Sequence, residues 1–196
     1  MIRLELVEYH MQKLQVKRII EKHHSYVPSN RSVGRRIDWL IYHSEHTNAF
    51  GIEEPVGMVG LGSSVYPPPK DILRYVGMTK SEYKDNFNSF ANNWRYCLTK
   101  SIPNLGSQTL KQLREQGLLQ WKDKYGDDLK YLITFVGGGN NGAVYKADNW
   151  KHVGYTAGLP EHKSSSMKWD NKDKLKELFV KPTGENKKMI FIKEIK

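Results

Sequence analysis

The sequence predicts one α+β domain built on a central, mixed and twisted sheet flanked by helices. Three observations carry this. Short apolar runs of period two recur along the chain and alternate with helical stretches. Between residues 94–99 and 129–136 the order is strand, turn, long helix, strand, a connection long enough for a right-handed crossover, so these two strands are expected to be parallel. The 196 residues, 38% hydrophobic and 11% aromatic, suffice for one packed core without disulfides or a structural metal.

In chain order, Ile2, Leu4 and Leu6 alternate with polar neighbours, and Met11, Leu14, Val16, Ile19 and Ile20 then follow helical spacing up to His23 and His24. Residues 26–34 are loop-like in their Pro, Ser, Asn and Gly content. A hairpin follows over 36–65, its second strand rich in glycine, which signals a bulge or a close backbone approach; Pro67, Pro68 and Pro69 end it. Residues 70–91 are polar and read as an insertion, with Thr79 and Glu82 spaced as a capping box. A strand from Trp94 leads through the turn at 103–107 into a helix whose apolar stripe is Leu110, Leu113, Leu118 and Trp121, closed by Gly126. Residues 129–136 are the clearest strand, 143–150 a short helix, and 153–156 another strand. Residues 160–176 form a basic polar connection, and 178–181 are expected to pair with 189–192 as closing strands; the single domain spans 1–196.

Composition excludes several classes. No run of about 18 apolar residues exists to cross a membrane, and the N-terminus has no apolar leader core, so the expected location is cytoplasmic and no membrane partner is expected. Cys97 is the single cysteine, which excludes an intrachain disulfide and a thiolate-cluster zinc site. The 31 Lys and Arg against 21 Asp and Glu leave a net charge of +10, suited to a polyanion such as DNA; the plain alternative is a surface solvated by lysines. The basic clusters available to phosphates are Arg31, Arg35 and Arg36, and Lys163, Lys168, Lys172 and Lys174.

The turn 104–109 opens a helix, and the unpaired N–H groups there suit a phosphate or pyrophosphate. It lacks the glycines of a P-loop or dinucleotide fingerprint, and the plain alternative is an N-cap in which Ser107 bonds the first turn. No Gly-x-Ser-x-Gly occurs, so a serine hydrolase has no support.

The residues around this turn carry a resemblance. Trp94-Arg95-Tyr96, Asn104-Leu105-Gly106-Ser107, the Trp121 to Gly126 segment, Thr134-Phe135-Val136, Tyr145-Lys146-Ala147-Asp148-Asn149-Trp150 and Val153-Gly154-Tyr155-Thr156 follow one another. This run resembles the phage Mom DNA-modification family and its DruA-like relatives, on a GNAT-like acyltransferase layout. The most specific part is Tyr-Lys-Ala-x-Asn-Trp. Gly106 and Asp148 depart from the resemblance, since both positions are usually Ala, and the Gly137–Gly139 run has no counterpart.

The resemblance implies a splayed pair of parallel strands and a CoA-type donor, acetyl-CoA or a related thioester. It implies transfer of a small acyl-derived group, carbamoylmethyl or acetamido-like, to adenine N6 in phage DNA, which protects that DNA from restriction. Tyr145 takes the place of the tyrosine that protonates the departing thiolate, a job suited to a phenol; its alternative is packing on Trp150. Arg95, Asn104, Gly106 and Ser107 are the donor-binding candidates. His24 is a candidate base beside the adenine amine, or with Tyr145 a metal ligand, which leaves an iron requirement open; a histidine at a helix end also serves the helix dipole. Asp38, on the hairpin strand beside the cofactor, is a candidate to face the base. Tyr42, Tyr66 and Trp94 are candidates to stack on an extruded base. The partner implied is double-stranded DNA, with a homodimer left open. Two alternatives stand beside this reading: a non-catalytic or defence-associated DNA-binding protein on the same scaffold, and an ordinary acetyl-CoA N-acetyltransferase.

Overall fold

The computed structural model describes residues 1–23, 34–137, 139–156 and 187–195. Four strands, β1 (Ile2–Leu6), β2 (Arg36–His43), β3 (Gly57–Ser63) and β4 (Phe90–Leu98), pair antiparallel in chain order. β5 (Tyr131–Val136) joins β4 in parallel, and β7 (Met189–Glu194) lies antiparallel between β5 and β6 (Lys151–Tyr155). The result is one seven-stranded mixed sheet in the order β1-β2-β3-β4-β5-β7-β6. Both edges of β7 are therefore occupied by β5 and β6, which replaces the expected pairing with 178–181; that segment lies outside the described residues.

Alternation along β2 sorts the two faces of the sheet. Ile37, Trp39 and Ile41 point to one side, against Leu105, Leu110, Leu113 and Trp121. Leu40 and Tyr42 point to the other, against Val16, Ile19 and Ile20 of α1 (His10–His23). A strand covered on both faces has little polar alternation, as the near-continuous apolar run of β2 shows. The helix expected over 107–124 starts earlier and is segmented: α4 (Leu105–Gln112), a π-helical turn at Leu113–Gly117, and α5 (Leu118–Tyr125), ended by Gly126. Of the expected stripe Leu110, Leu113 and Trp121 are buried, Leu118 only partly so, and Gly117 is buried beside them. A Cβ at Gly117 would stand 3.3 Å from the Trp39 ring and 2.8 Å from Leu113, so the helix lies on the indole only because position 117 has no side chain.

The segment 70–91 is not peripheral. It folds into α2 (Lys70–Val76) and α3 (Lys80–Asp85), the latter opened by the expected Thr79–Glu82 capping box. Ile72 and Tyr83 are fully buried and pack with Phe90, Ile133, Ile190 and Ile192, so the segment helps to cover the β5–β7 half of the sheet. Among the described residues no helix is long and apolar enough to cross a membrane.

Two irregularities in β4 interrupt the regular ladder at the middle of the sheet. Gly60 faces Arg95 while Leu61 faces Asn93, so Trp94 is the extra residue of a β-bulge. On its other edge β4 pairs with β5 only at Phe90↔Tyr131, Ala91↔Leu132 and Asn92↔Ile133. Past Asn92 the two parallel strands diverge.

Candidate active site

The divergence of β4 and β5 opens a cavity of about 370 Å³, whose lining includes Asn93, Tyr96, Thr134, Val136, Gly142 and Tyr145. Tyr145 belongs to α6 (Ala143–Ala147), the short helix after β5, and is 6% exposed. Its ring packs edge-on to Trp150 with centroids 5.0 Å apart and is stacked on Phe191 at 5.8 Å. Its hydroxyl reaches the point where the strands part and donates to Asn93 Oδ1 at 2.7 Å. Packing on Trp150 and placement at the floor of the split are thus both true of this side chain.

The parting point is built from polar side chains. The Thr134 hydroxyl donates to the Asn93 carbonyl at 3.1 Å, so a side chain of β5 takes up a group that a continuing ladder would have used. The buried Asn93 carboxamide donates from Nδ2 to the carbonyls of Gly60 (2.8 Å) and Arg95 (3.1 Å) on either side of the bulge.

Above the split, Tyr96 donates to the Gly106 carbonyl at 3.1 Å, tying β4 to the first turn of α4. Burial drives the Tyr96 phenol far above its ordinary value. A Cβ on Gly106 would overlap the Val144 side chain, so this glycine lets α4 meet α6. Asn104, in the left-handed region at φ 60°, is the N-cap of α4, and no side chain caps that end. Ser107 is not the cap: its hydroxyl donates backwards to the Asn104 carbonyl at 3.2 Å. Arg95 lines the cavity, donates to the Trp94 carbonyl at 2.7 Å, and sits 4.7 Å from the Trp94 ring. Half-buried Lys188 has its ammonium pKa lowered by burial, with the Arg95 charge adding to the effect.

Asp38 does not join this group. Its Oδ1 accepts from the Trp94 indole at 2.9 Å and its Oδ2 from Arg36 at 2.6 Å, and it lines a separate cavity with Lys13 and Lys124. Burial raises its carboxyl pKa, against the opposing pull of Arg36 and Trp94. Of the rings expected to stack on a base, Trp94 has the Arg36 guanidinium 3.9 Å from its centroid and Tyr42 is buried with Arg3 at 4.4 Å. Tyr66 is half exposed, edge-on to Phe87, and does not line the split. Arg35 is paired with Asp127, and Arg36 with Asp38, so both guanidinium groups already serve carboxylates of the fold. His24, Arg31, Lys163, Lys168, Lys172 and Lys174 lie outside the described residues. Among the described residues no group of three or more His, Cys, Asp or Glu is placed to hold a metal.

Asn93 is a site residue that no motif in the sequence points to, and Thr134 stands in the Thr134-Phe135-Val136 run without a site role being assigned to it there. The available signal is the Asn92-Asn93 pair beside a strand: asparagine is depleted in strands, and a buried one needs a specific set of partners.

Cys97 also lines the cavity, but burial pushes its thiol up to about 11. At pH 8 the thiolate fraction is then on the order of one in a thousand. Native protein is expected to react with a thiol-specific disulfide reagent only slowly, with full reaction on denaturation. Stoichiometric labelling of the folded protein within seconds would contradict this.

No protein-family model matches the chain, and no curated protein matches it in sequence. Solved structures do match it in shape. An Arabidopsis thaliana NAA60 structure in complex with acetyl-CoA superposes with a TM-score of 0.57 at 12% identity, covering 100% of this chain and 99% of that one. A Bacillus subtilis acetyltransferase in complex with CoA gives 0.56 at 8% identity, with 100% of both chains covered. A Desulfovibrio desulfuricans protein described as a GNAT-family acetyltransferase gives 0.55 at 9% identity, with 99% of both covered. The fold of this chain, split parallel strands included, is the GNAT acetyltransferase fold.

Proposed function

We propose that the protein is a transferase that moves a small acyl-derived group from a CoA donor to an amine, and that the amine is adenine N6 of double-stranded DNA, as in Mom-type proteins. The observation that carries the transferase reading is the split between β4 and β5 with the Tyr145 hydroxyl at its floor. Solved neighbours of the same fold hold CoA or acetyl-CoA.

The residues present suit such a donor. Beyond Asn92 the β4 edge facing β5 is without a ladder partner, which fits an extended amide-bearing arm. The start of α4, uncapped by any side chain, offers backbone N–H groups to phosphate oxygens. When bound, the donor supplies a thioester carbonyl and a sulfur leaving group. Tyr145 then holds a proton within the split, with its hydroxyl on Asn93, while the Thr134 hydroxyl takes up the Asn93 carbonyl. The described residues offer no donor set for iron, and no step is assigned to it.

The DNA acceptor rests on the motif resemblance and the net charge of +10. Nucleosides from the DNA of cells expressing soluble protein are expected to contain a modified adenosine by mass spectrometry. An unchanged profile, together with thiol release from acetyl-CoA in the presence of simple amines, would leave an ordinary N-acetyltransferase. That second reading is favoured by the pairing of Arg35 and Arg36 with carboxylates of the fold. Binding to duplex DNA is also expected to weaken by orders of magnitude between about 50 and 200 mM salt, through release of several counterions. Salt-independent binding in fluorescence anisotropy would assign the basic charge to surface solvation.

A further inference from the structure

We propose that Asn93 is a positioning residue for Tyr145, holding its hydroxyl proton at the parting point of β4 and β5 until the leaving group arrives. This rests on the transferase reading above. The positions of the protons decide it. Both Nδ2 protons of Asn93 are spoken for, by the carbonyls of Gly60 and Arg95. Turning the carboxamide over would set Oδ1 against two carbonyl oxygens, so the bulge fixes Oδ1 as the atom facing Tyr145. An amide oxygen only accepts, so the phenol is the donor in their 2.7 Å contact. Thr134, 3.4 Å from the Tyr145 oxygen, has one hydroxyl proton, and the Asn93 carbonyl at 3.1 Å claims it.

The bulge therefore has a purpose beyond bending β4. The extra residue at Trp94 exposes the two carbonyls that orient the carboxamide, and the carboxamide orients the phenol. Trp150 and Phe191 clamp the ring, so the oxygen stays in place while the O–H bond turns. In the transfer step the acceptor nitrogen bonds to the carbonyl carbon and the carbon–sulfur bond breaks, its electron pair leaving on sulfur. The Tyr145 proton passes to that sulfur, and one proton from the acceptor nitrogen returns through water to the phenolate. Asn93 cannot reprotonate Tyr145, since its N–H groups face the other way; it can only hold and aim the proton once Tyr145 has it.

The test is a double-mutant cycle on thiol release from acetyl-CoA, using duplex DNA or whichever simple amine the wild type turns over. Asn93→Ala is expected to lower kcat about 10–100-fold with little change in the KM for acetyl-CoA. In the Tyr145→Phe background the same substitution is expected to cost nothing further, because its route of action is gone. Equal losses in both backgrounds would overturn the proposal and leave Asn93 a structural plug of the bulge. Asn93→Ala also leaves two buried carbonyls without a donor. Should it not fold, the wild-type protein carries the test: the Tyr145 hydroxyl is expected as a slowly exchanging proton resonance with through-space contacts to Asn93, missing in Tyr145→Phe. Absence of that resonance from well-folded wild type would overturn the proposal. Wild type that releases no thiol with any acceptor overturns the transferase reading, and with it the catalytic role of Asn93, whereas turnover with additive losses removes the Asn93 role alone.

Discussion

Tyr145→Phe is expected to lower turnover by about 10²–10⁴-fold, the usual cost of losing a positioned general acid. Only the hydroxyl is removed. The ring contacts with Trp150 and Phe191 survive, so the fold should hold. The stability cost is that of one buried hydrogen bond, with Asn93 Oδ1 left without its donor, about 1 kcal/mol. Donor affinity should change little, because the proposed role of the phenol is at the leaving sulfur and not on the arm proposed to run along β4. The measurement is kcat and KM for acetyl-CoA at matched soluble protein, or modified adenine per cell over a time course that resolves rate. Turnover within threefold of wild type would make the phenol a packing residue and remove the single observation on which the transferase reading rests.

Asp148→Ala has the largest expected effect on stability. Asp148 is buried, and its Oδ2 accepts from both Arg114 and the Trp150 indole, the latter at 2.9 Å; its backbone carbonyl accepts from Lys193 at 2.8 Å. The carboxylate thus ties Arg114 of the helical layer to the turn that follows α6, and the backbone carbonyl of the same residue ties that turn to β7. Removing the carboxylate takes the acceptor from the buried Trp150 indole N–H and the counter-charge from Arg114, which keeps the Leu110 carbonyl. Breaking a buried pair typically costs about 3–5 kcal/mol; since Arg114 keeps some contact with water, about 2–4 kcal/mol is expected here. Chemical denaturation with an unchanged m-value measures it. Asp148→Asn, which retains an oxygen for Trp150, should lose less. A loss under about 0.5 kcal/mol for Asp148→Ala would mean that Arg114 relaxes fully to solvent.

The sheet is legible in the sequence wherever burial imposes a pattern. The apolar run over 37–42 marks a buried strand, and the length of the connection between 99 and 129 foretells the parallel pair. The segment 70–91 misleads because composition averages over it: its many polar residues hide Ile72 and Tyr83, two side chains that suffice to anchor it. The place of β7 is hidden for another reason. A strand inserted between two others receives its neighbours from distant parts of the chain, and local pattern says nothing about that order. At the site, the motif containing Tyr145 is visible, but its partner is not. Asn93 matters through the directions of its N–H groups, and these depend on a one-residue bulge: the glycines of β3 signal a bulge on that strand, but not that Trp94 of β4 is its extra residue. Asp38 illustrates the converse: a carboxylate on the expected strand, consumed by Arg36 and Trp94.

The seat of Trp39 on Gly117 binds the histories of two distant positions. A helix-interior glycine costs about 0.5–1 kcal/mol relative to alanine, so drift alone would tend to replace it. Here the first methyl group added would press on the indole and on Leu113. The indole in turn can shrink only by leaving a hollow under the π-turn. Neither position has a cheap first step by itself, while a joint exchange, a smaller residue at 39 with alanine at 117, conserves volume and recovers helix propensity. Across the descendants of this sequence, residues 39 and 117 should behave as one inherited character, changing together or not at all.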